Sequence, residues 1–350
     1  MTDSLAWLAE PCRPIDRAAA EAARARQDRL TKPRGALGRL ETLAIRLAGL
    51  QGRDRPRIDP VQCCLFAADH GVAAEGISLY PQAVTVEMIR NIAAGGAAIS
   101  VLTRTLGIDL EVIDCGSLSD PGPIARVRSE RVGPGTGNIA REPAMTRDRL
   151  AAALAVGQRA AERAAERGCA LVLGGEMGIG NTTPSAALSS ALLGRTAAEL
   201  AGPGTGLDRP GVEHKARVIA AALERHATAD ATPVELMERL GGFEIAALAG
   251  FFLRAGQLGM AVLVDGFIAS AAALFACRVN PGLRDWLFFA HQSAEPGHRR
   301  ILEALDADPL LDLGMRLGEA SGAAAAVPVL RLACAAHGDM ATFEEAGVTG

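Results

Sequence analysis

The sequence predicts an α/β protein, in which helices flank a parallel sheet and both chain ends form a smaller helical part. Two observations predict this class. Five apolar runs of strand length each end in a polar or acidic residue beside a glycine or other small residue. Alanine-rich helical stretches separate these runs. Uninterrupted apolar runs are typical of strands buried on both faces, and strands that alternate with helices indicate a parallel sheet.

The large predicted part contains all five strands. They are expected at residues 63–68, 110–113, 169–173, 260–264 and 286–290. The helices between and beside them are expected at residues 84–106, 147–167, 184–194, 211–226, 243–257 and 267–277. This order predicts a Rossmann-like sheet, and ligands of such sheets bind beyond the carboxyl ends of the strands. The polar residues expected at those ends are Asp69, Asp114, Glu176, Asp265 and His291.

Both chain ends are predicted to be helical. At the N-terminal end, residues 32–35 (Lys-Pro-Arg-Gly) interrupt the helical pattern, which resumes over 36–50 with leucines at helical spacing. At the other end, helices are expected at 299–305, 310–317 and 320–337. We therefore predict a large α/β domain over 56–298, and a small helical domain formed by 1–55 together with 299–350. Residues 121–143 are expected to form a long loop.

Composition excludes several classes of function. A net charge of −4 and an aromatic content of 3% give no indication of a nucleic-acid partner. Seven cysteines, with no C-x-x-C pair, favour reduced thiols and a cytoplasmic protein. Neither a signal peptide nor a membrane span is expected. The spacing of the six histidines indicates no metal site.

The most informative segment is residues 174–184, where a predicted strand runs through a glycine-rich loop into a predicted helix. Free backbone N–H groups and the helix dipole favour phosphate at such a helix N-terminus. The spacing resembles that of a nucleoside-triphosphate loop, but Asn181 stands where that loop requires lysine. We therefore predict a site for a single phosphate with Glu176 beside it. The alternative is that Glu176 points away and pairs with a cation.

Three further positions are candidates for chemistry, each with a structural alternative. Glu319 lies among small residues and could approach a ligand closely, or it could simply stabilise a helix N-terminus. Lys215 is one of only two lysines, which suggests a compact charge for phosphate, although chance would also explain it. His70, beside Asp69, is more simply explained as an oriented structural histidine.

Taken in order, nine motifs resemble the nicotinate-nucleotide–dimethylbenzimidazole phosphoribosyltransferase family. The resemblance extends from about residue 30 to the C-terminal end, and its motifs are specific in combination. They are residues 32–41, 68–72, 80–82, 95–99, 175–183, 242–245, 265–267, 293–298 and 317–323. Small departures at 202–206, at 320–321 and at Gln292 affect the expected substrate preference more than the expected reaction.

The resemblance implies an α/β domain, a smaller helical domain and a homodimer. It implies transfer of the 5-phosphoribosyl group from nicotinate mononucleotide to 5,6-dimethylbenzimidazole, with inversion at C1′, during cobalamin synthesis. Glu319 matches the family's general base and Glu176 a second catalytic position. The matched substrate-binding residues are Gly178, Gly180, Asn181, Thr182, Lys215, Asp265, Ser78, Tyr80 and Gln82.

The implied chemistry requires neither a metal nor another cofactor. Nicotinate leaves as a neutral ring nitrogen, so it needs no acid, whereas the benzimidazole N–H becomes acidic as the other nitrogen bonds to carbon. One carboxylate, Glu319, could take that proton, and Glu176 could stabilise positive charge at C1′. Two alternatives remain: a non-catalytic protein that binds a benzimidazole or α-ribazole, and phosphoribosyl transfer to another acceptor such as adenine or a phenol.

Overall fold

The computed structural model describes residues 4–349 and contains one six-stranded sheet. The strands are β1 (Val61–Ala68), β2 (Asp109–Gly116), β3 (Val127–Ser129), β4 (Leu171–Met177), β5 (Ala261–Val264) and β6 (Leu287–Phe289). All neighbouring strands are parallel, in the order β3-β2-β1-β4-β5-β6. The five predicted strands and the parallel sheet are therefore confirmed.

Helices flank this sheet. In chain order they are α1 (Arg17–Gln27), α2 (Arg39–Gln51), α3 (Ala83–Ala94), α4 (Ala98–Leu106), α5 (Arg147–Glu166), α6 (Thr182–Leu193), α7 (Ala197–Leu200), α8 (Arg209–His226), α9 (Pro233–Leu240), α10 (Phe243–Leu258), α11 (Phe267–Val279), α12 (Pro296–Ala304), α13 (Ser321–Asp339) and α14 (Phe343–Ala346). The described residues contain no helix that is long and apolar enough to cross a membrane.

Four local predictions were wrong or incomplete. The helix predicted at 84–106 is two helices, because Gly95 adopts a φ of 94° and ends α3. The helix predicted at 310–317 is not helical: Leu311 instead forms a parallel bridge with His291. The predicted loop 121–143 contains β3, and helices α7, α9 and α14 were not predicted. These elements are short, so tertiary contacts outweigh the local pattern.

Glycine and alanine allow the main helices to pack closely. Helix α5 lies against α10, and a Cβ on Gly157 would collide with the carbonyl oxygen of Ala247. A Cβ on Gly250 would likewise collide with the carbonyl oxygen of Leu154. The two backbones therefore touch, and a larger side chain at either position would force the helices apart.

The two chain ends contact each other beside the sheet. Leu30 and Thr342 form an antiparallel bridge, and the Arg26 guanidinium donates to the carbonyl oxygen of His337 over 2.8 Å. Helix α13 packs on α2 and also contacts β4. The contact with β4 brings the start of α13, and with it Glu319, to the carboxyl end of the sheet.

Candidate active site

A cavity of about 680 Å³ lies beyond the carboxyl ends of β4, β5 and β6. This is the edge of the sheet at which the sequence predicts ligand binding. The structure brings eight of the predicted site residues together in its wall: Tyr80, Glu176, Gly178, Gly180, Asn181, Thr182, Asp265 and Glu319. These residues come from distant parts of the chain, so the fold assembles the cavity.

The glycine-rich loop between β4 and α6 forms one side of this cavity. A Cβ on Gly178 would collide with the carbonyl oxygen of Ala68, and Gly180 has a φ of 90°. Both positions therefore favour glycine. Helix α6 then begins at Thr182, so its positive end faces the cavity. This geometry suits an anionic group such as a phosphate.

Glu176 faces the cavity and pairs with an amide. The alternative interpretation, in which Glu176 points away and pairs with a cation, is therefore wrong. The side-chain amide of Asn181 donates to Oε2 in a short hydrogen bond. The pKa of Glu176 is raised to about 8, chiefly by burial and in smaller part by charge repulsion from Asp265, Glu244 and Glu319, while the hydrogen bond from Asn181 opposes the shift. Glu176 is therefore largely protonated at neutral pH in this environment.

Asp265 ties the cavity floor to the start of α13. Its Oδ1 accepts a hydrogen bond of 2.8 Å from the backbone N–H of Ala323, in the first turn of that helix. His291 Nε2 lies 3.8 Å from the same oxygen. Burial raises the pKa of Asp265, although His291 and backbone N–H groups oppose the shift. Asp265 therefore positions the helix that follows Glu319.

Glu319 immediately precedes α13 and is only 5% exposed. Both it and Ala320 are in the left-handed region, with φ values of 61° and 63°, a conformation that costs non-glycine residues energy. Within residues 4–349, its Oε2 atom has no hydrogen-bond partner. Burial raises its pKa, which a backbone hydrogen bond from Ile99 partly offsets. A strained, buried carboxylate with an unpartnered oxygen is suited to accept a proton.

Close backbone contacts hold Glu319 beside Glu176. A Cβ on Gly318 would collide with Glu176 Oε1. A Cβ on Gly175 would lie 2.7 Å from the backbone nitrogen of Ala320. Glycine at both positions therefore lets the two carboxylates approach each other at the end of β4.

Three predicted substrate-binding residues lie behind the cavity wall. Lys215 is 1% exposed, and its Nζ donates to Thr182 Oγ1 and to the carbonyl oxygen of Gly202, each over 3.1 Å. Burial lowers its pKa to about 8. Ser78 contacts Thr205 over 3.2 Å, and Gln82 donates to the carbonyl oxygen of His70 over 2.8 Å. These three residues support the wall.

The histidine assigned a structural role is fully buried. His70 Nε2 lies 2.7 Å from Glu244 Oε1, and both side chains are at most 1% exposed. Asp69 accepts a hydrogen bond of 2.7 Å from Thr85 Oγ1. Thr85 Oγ1 in turn accepts a bond from the backbone N–H of Ile179 in the glycine-rich loop. His70 and Asp69 thus hold the loop from behind.

Sequence reasoning assigned no role to several lining residues. Two are charged: Glu295, on the loop before α12, and Arg316, whose guanidinium donates to the carbonyl oxygen of Gly204 over 2.9 Å. Val84 and Met88 on α3 supply apolar surface. Arg316 lies in the same glycine-rich segment as Glu319. Its closeness in sequence to a candidate base was the one signal that could have identified it as a site residue.

Fold and site together define a class of enzyme that binds a phosphorylated small molecule at the edge of a parallel sheet. A family profile described as phosphoribosyltransferase matches residues 12–348. A relative from Pseudomonas putida KT2440, named nicotinate-nucleotide–dimethylbenzimidazole phosphoribosyltransferase, is 60% identical over 98% of each chain. One from Pseudomonas aeruginosa PAO1 with the same name is 57% identical over 99% of each chain.

Solved structures agree with these relatives. The crystal structure of nicotinate-nucleotide-dimethylbenzimidazole phosphoribosyltransferase from Thermus thermophilus has a TM-score of 0.91 and 44% identity. The alignment covers 96% of this chain and 100% of that one. The chain therefore belongs to the nicotinate-nucleotide–dimethylbenzimidazole phosphoribosyltransferase family, as its motifs indicate.

Proposed function

We propose that this enzyme transfers the 5-phosphoribosyl group of nicotinate mononucleotide to 5,6-dimethylbenzimidazole during cobalamin synthesis. The products are α-ribazole 5′-phosphate and nicotinate. The observation that carries this proposal is the pairing, in one cavity, of a glycine-rich loop suited to a single phosphate with a buried carboxylate, Glu319, whose Oε2 has no hydrogen-bond partner among the described residues. Relatives that share about 60% of the sequence bear the name of this activity.

Glu319 is the proposed general base. The benzimidazole N–H becomes strongly acidic when the other ring nitrogen bonds to C1′, and Glu319 Oε2 takes that proton. Such base catalysis contributes about 10²–10⁴-fold to the rate. Departing nicotinate regains a neutral ring nitrogen and needs no acid. Attack on the face opposite the leaving group inverts C1′, which converts a β-nucleotide into an α-product.

Glu176 is proposed to stabilise positive charge at C1′. Its pKa of about 8 leaves it largely neutral among these protein groups alone. A pyridinium cation bound nearby favours the charged form of a carboxylate and lowers its pKa. Binding of nicotinate mononucleotide would then ionise Glu176, which would act by electrostatic stabilisation of the transition state.

We place the phosphate at the loop that leads into α6, over Gly178, Gly180, Asn181 and Thr182. Lys215 contributes through Thr182 Oγ1, to which it donates a hydrogen bond. The benzimidazole is placed near Tyr80, against the apolar surface of Met88. Ser78 and Gln82 support this side of the cavity from behind, and Asp265 supports its floor.

Assembly, domains and location are also proposed. We propose a homodimer, for which the exposed apolar side chains of Leu313 and Leu332 offer contact surface. Residues 1–55 and 299–350 are proposed to act as one small helical domain beside 56–298, since the two ends contact each other. The seven free cysteines fit a cytoplasmic protein. Light scattering would test the dimer.

A chromatographic assay with nicotinate mononucleotide and dimethylbenzimidazole tests the reaction. Formation of α-ribazole phosphate and nicotinate in equal amounts supports the proposal. The non-catalytic alternative predicts binding of the base without product. Transfer to another base predicts product only when adenine or a phenol replaces dimethylbenzimidazole, so these acceptors belong in the same series. A hydrophobic pocket discriminates single methyl groups by only about 1–3 kcal/mol, so related benzimidazoles should also react.

A further inference from the structure

A second glycine-rich loop, residues 202–206, borders the cavity beside the start of α6. It joins α7 to α8, and Gly204 and Gly206 have φ values of 53° and 114°. Gly204 and Thr205 line the cavity. A Cβ on Gly204 would lie 2.9 Å from Thr182 Oγ1, so this loop meets the first glycine-rich loop at its junction with α6.

Three charged side chains hold this second loop. Lys215 Nζ donates to the carbonyl oxygen of Gly202 over 3.1 Å, and Arg316 donates to that of Gly204 over 2.9 Å. Glu295 Oε1 accepts a hydrogen bond of 2.9 Å from the backbone N–H of Gly204. The loop is therefore fixed by two cations through its carbonyl oxygens and by one carboxylate through an N–H.

The Glu295 carboxylate is enclosed by the loop. Glu295 is 5% exposed, and a Cβ on Gly202 would collide with its Oε2. That oxygen is buried and has no hydrogen-bond partner in the described part of the chain. Burial raises the pKa of Glu295, and Lys215, the Gly204 N–H and Arg316 oppose the shift by favouring the charged carboxylate. An anion that meets a glycine-loop N–H, a lysine and an arginine occupies the kind of surroundings that phosphate groups use.

We propose that the Glu295 carboxylate is an internal anion that occupies part of the phosphate site, and that the nucleotide phosphate displaces it when it binds. This inference rests on the proposed function for the identity of the nucleotide. The incoming phosphate takes over the N–H of Gly204 and the charge of Lys215, and Glu295 moves away from both. Glu295 is thus a positioning residue that keeps the second loop formed and delays phosphate entry by charge repulsion.

Glu295→Gln separates these two effects. The amide oxygen of glutamine still accepts the Gly204 N–H, whereas the negative charge is removed. We expect sulfate, measured by calorimetry at pH 7.5, to bind the variant about tenfold more tightly than the wild type, since a like charge has been removed. The KM for nicotinate mononucleotide should fall similarly, and the KM for dimethylbenzimidazole should stay constant. Unchanged or weaker sulfate binding would overturn the proposal.

The matched control is Glu303→Gln, on the exposed face of α12, where the carboxylate pairs with Arg299 and Arg300. It should leave sulfate binding unchanged. Sulfate titration involves no turnover, so it reports on Glu295 even where the assay detects no transfer. Failure to detect transfer would contradict only the proposed function, and the sulfate titration would still test the role of Glu295.

A crystal structure of the wild-type enzyme with sulfate provides a test that needs no variant. The proposal predicts a sulfate oxygen within hydrogen-bond distance of the Gly204 nitrogen, with the Glu295 carboxylate withdrawn from it. Sulfate bound elsewhere in the cavity, with the bond between Gly204 and Glu295 intact, would contradict it.

Discussion

Glu319→Gln is the most direct test of the proposed mechanism. Glutamine has nearly the same shape as glutamate but cannot accept the benzimidazole proton. The neighbouring carboxylates are poor substitutes, because Glu176 is bonded to Asn181 and Asp265 accepts the N–H of Ala323. We therefore expect kcat to fall by the full contribution of a general base, about 10²–10⁴-fold. The KM for nicotinate mononucleotide should change little.

The pH profile adds a second readout of the same change. A general base works only when deprotonated, and burial raises the pKa of Glu319 above the ordinary glutamate value of 4.5. The wild-type rate should therefore rise with pH through this raised pKa. In the variant, the limb of the profile that belongs to this group should disappear.

The assay is chromatographic quantification of α-ribazole phosphate from pH 5 to pH 9, with circular dichroism to confirm that the variant is folded. Glu224→Gln, at an exposed position on α8, is the matched control and should retain wild-type kcat. A kcat for Glu319→Gln within about threefold of the wild type, well below the range for general-base catalysis, would refute the assignment of Glu319.

Three other predictions follow from the same contacts. Gly175→Ala places a Cβ 2.7 Å from the backbone of Ala320, so it should displace Glu319, lower kcat and destabilise the fold by about 1–3 kcal/mol in urea titration. Lys215→Ala removes a charged donor and should raise the KM for nicotinate mononucleotide about 10–100-fold; an unchanged KM would exclude it from the phosphate site. Glu176→Gln should increase the free energy of unfolding by a few kcal/mol at pH 8 and by much less at pH 5. The same variant should have a lower kcat. Equal gains in stability at both pH values would argue against a raised pKa of Glu176.

The sign of the Glu176 effect comes from counting protons. The folded enzyme keeps a proton on Glu176 up to about pH 8, whereas the unfolded chain loses it near pH 4.5. Between these values the folded state binds more protons than the unfolded state, so wild-type stability falls as pH rises. Glutamine does not titrate, and the variant therefore lacks this loss.

Long, strongly patterned segments of this chain were predictable because local physics determines them. The apolar runs that became β1, β4 and β5 are buried on both faces, so nothing in their pattern competes with a central strand. The glycine-rich loop before α6 was predictable because strand, glycines and helix start are adjacent in sequence. Short elements escaped prediction: β3 has three residues and α7 has four.

The sequence by itself determined the α/β class and the glycine-rich loop before α6, because each depends on residues that lie next to one another, whereas the proposed role of Glu319 as base came from the family resemblance. Only the tertiary structure decided which distant side chains meet. It placed Lys215 behind Thr182 and Gly202, and it brought Glu295 into the second glycine-rich loop. These contacts depend on strand order and helix packing; the hydrogen bond between Gly204 and Glu295 joins residues 91 positions apart. No local pattern carries that information.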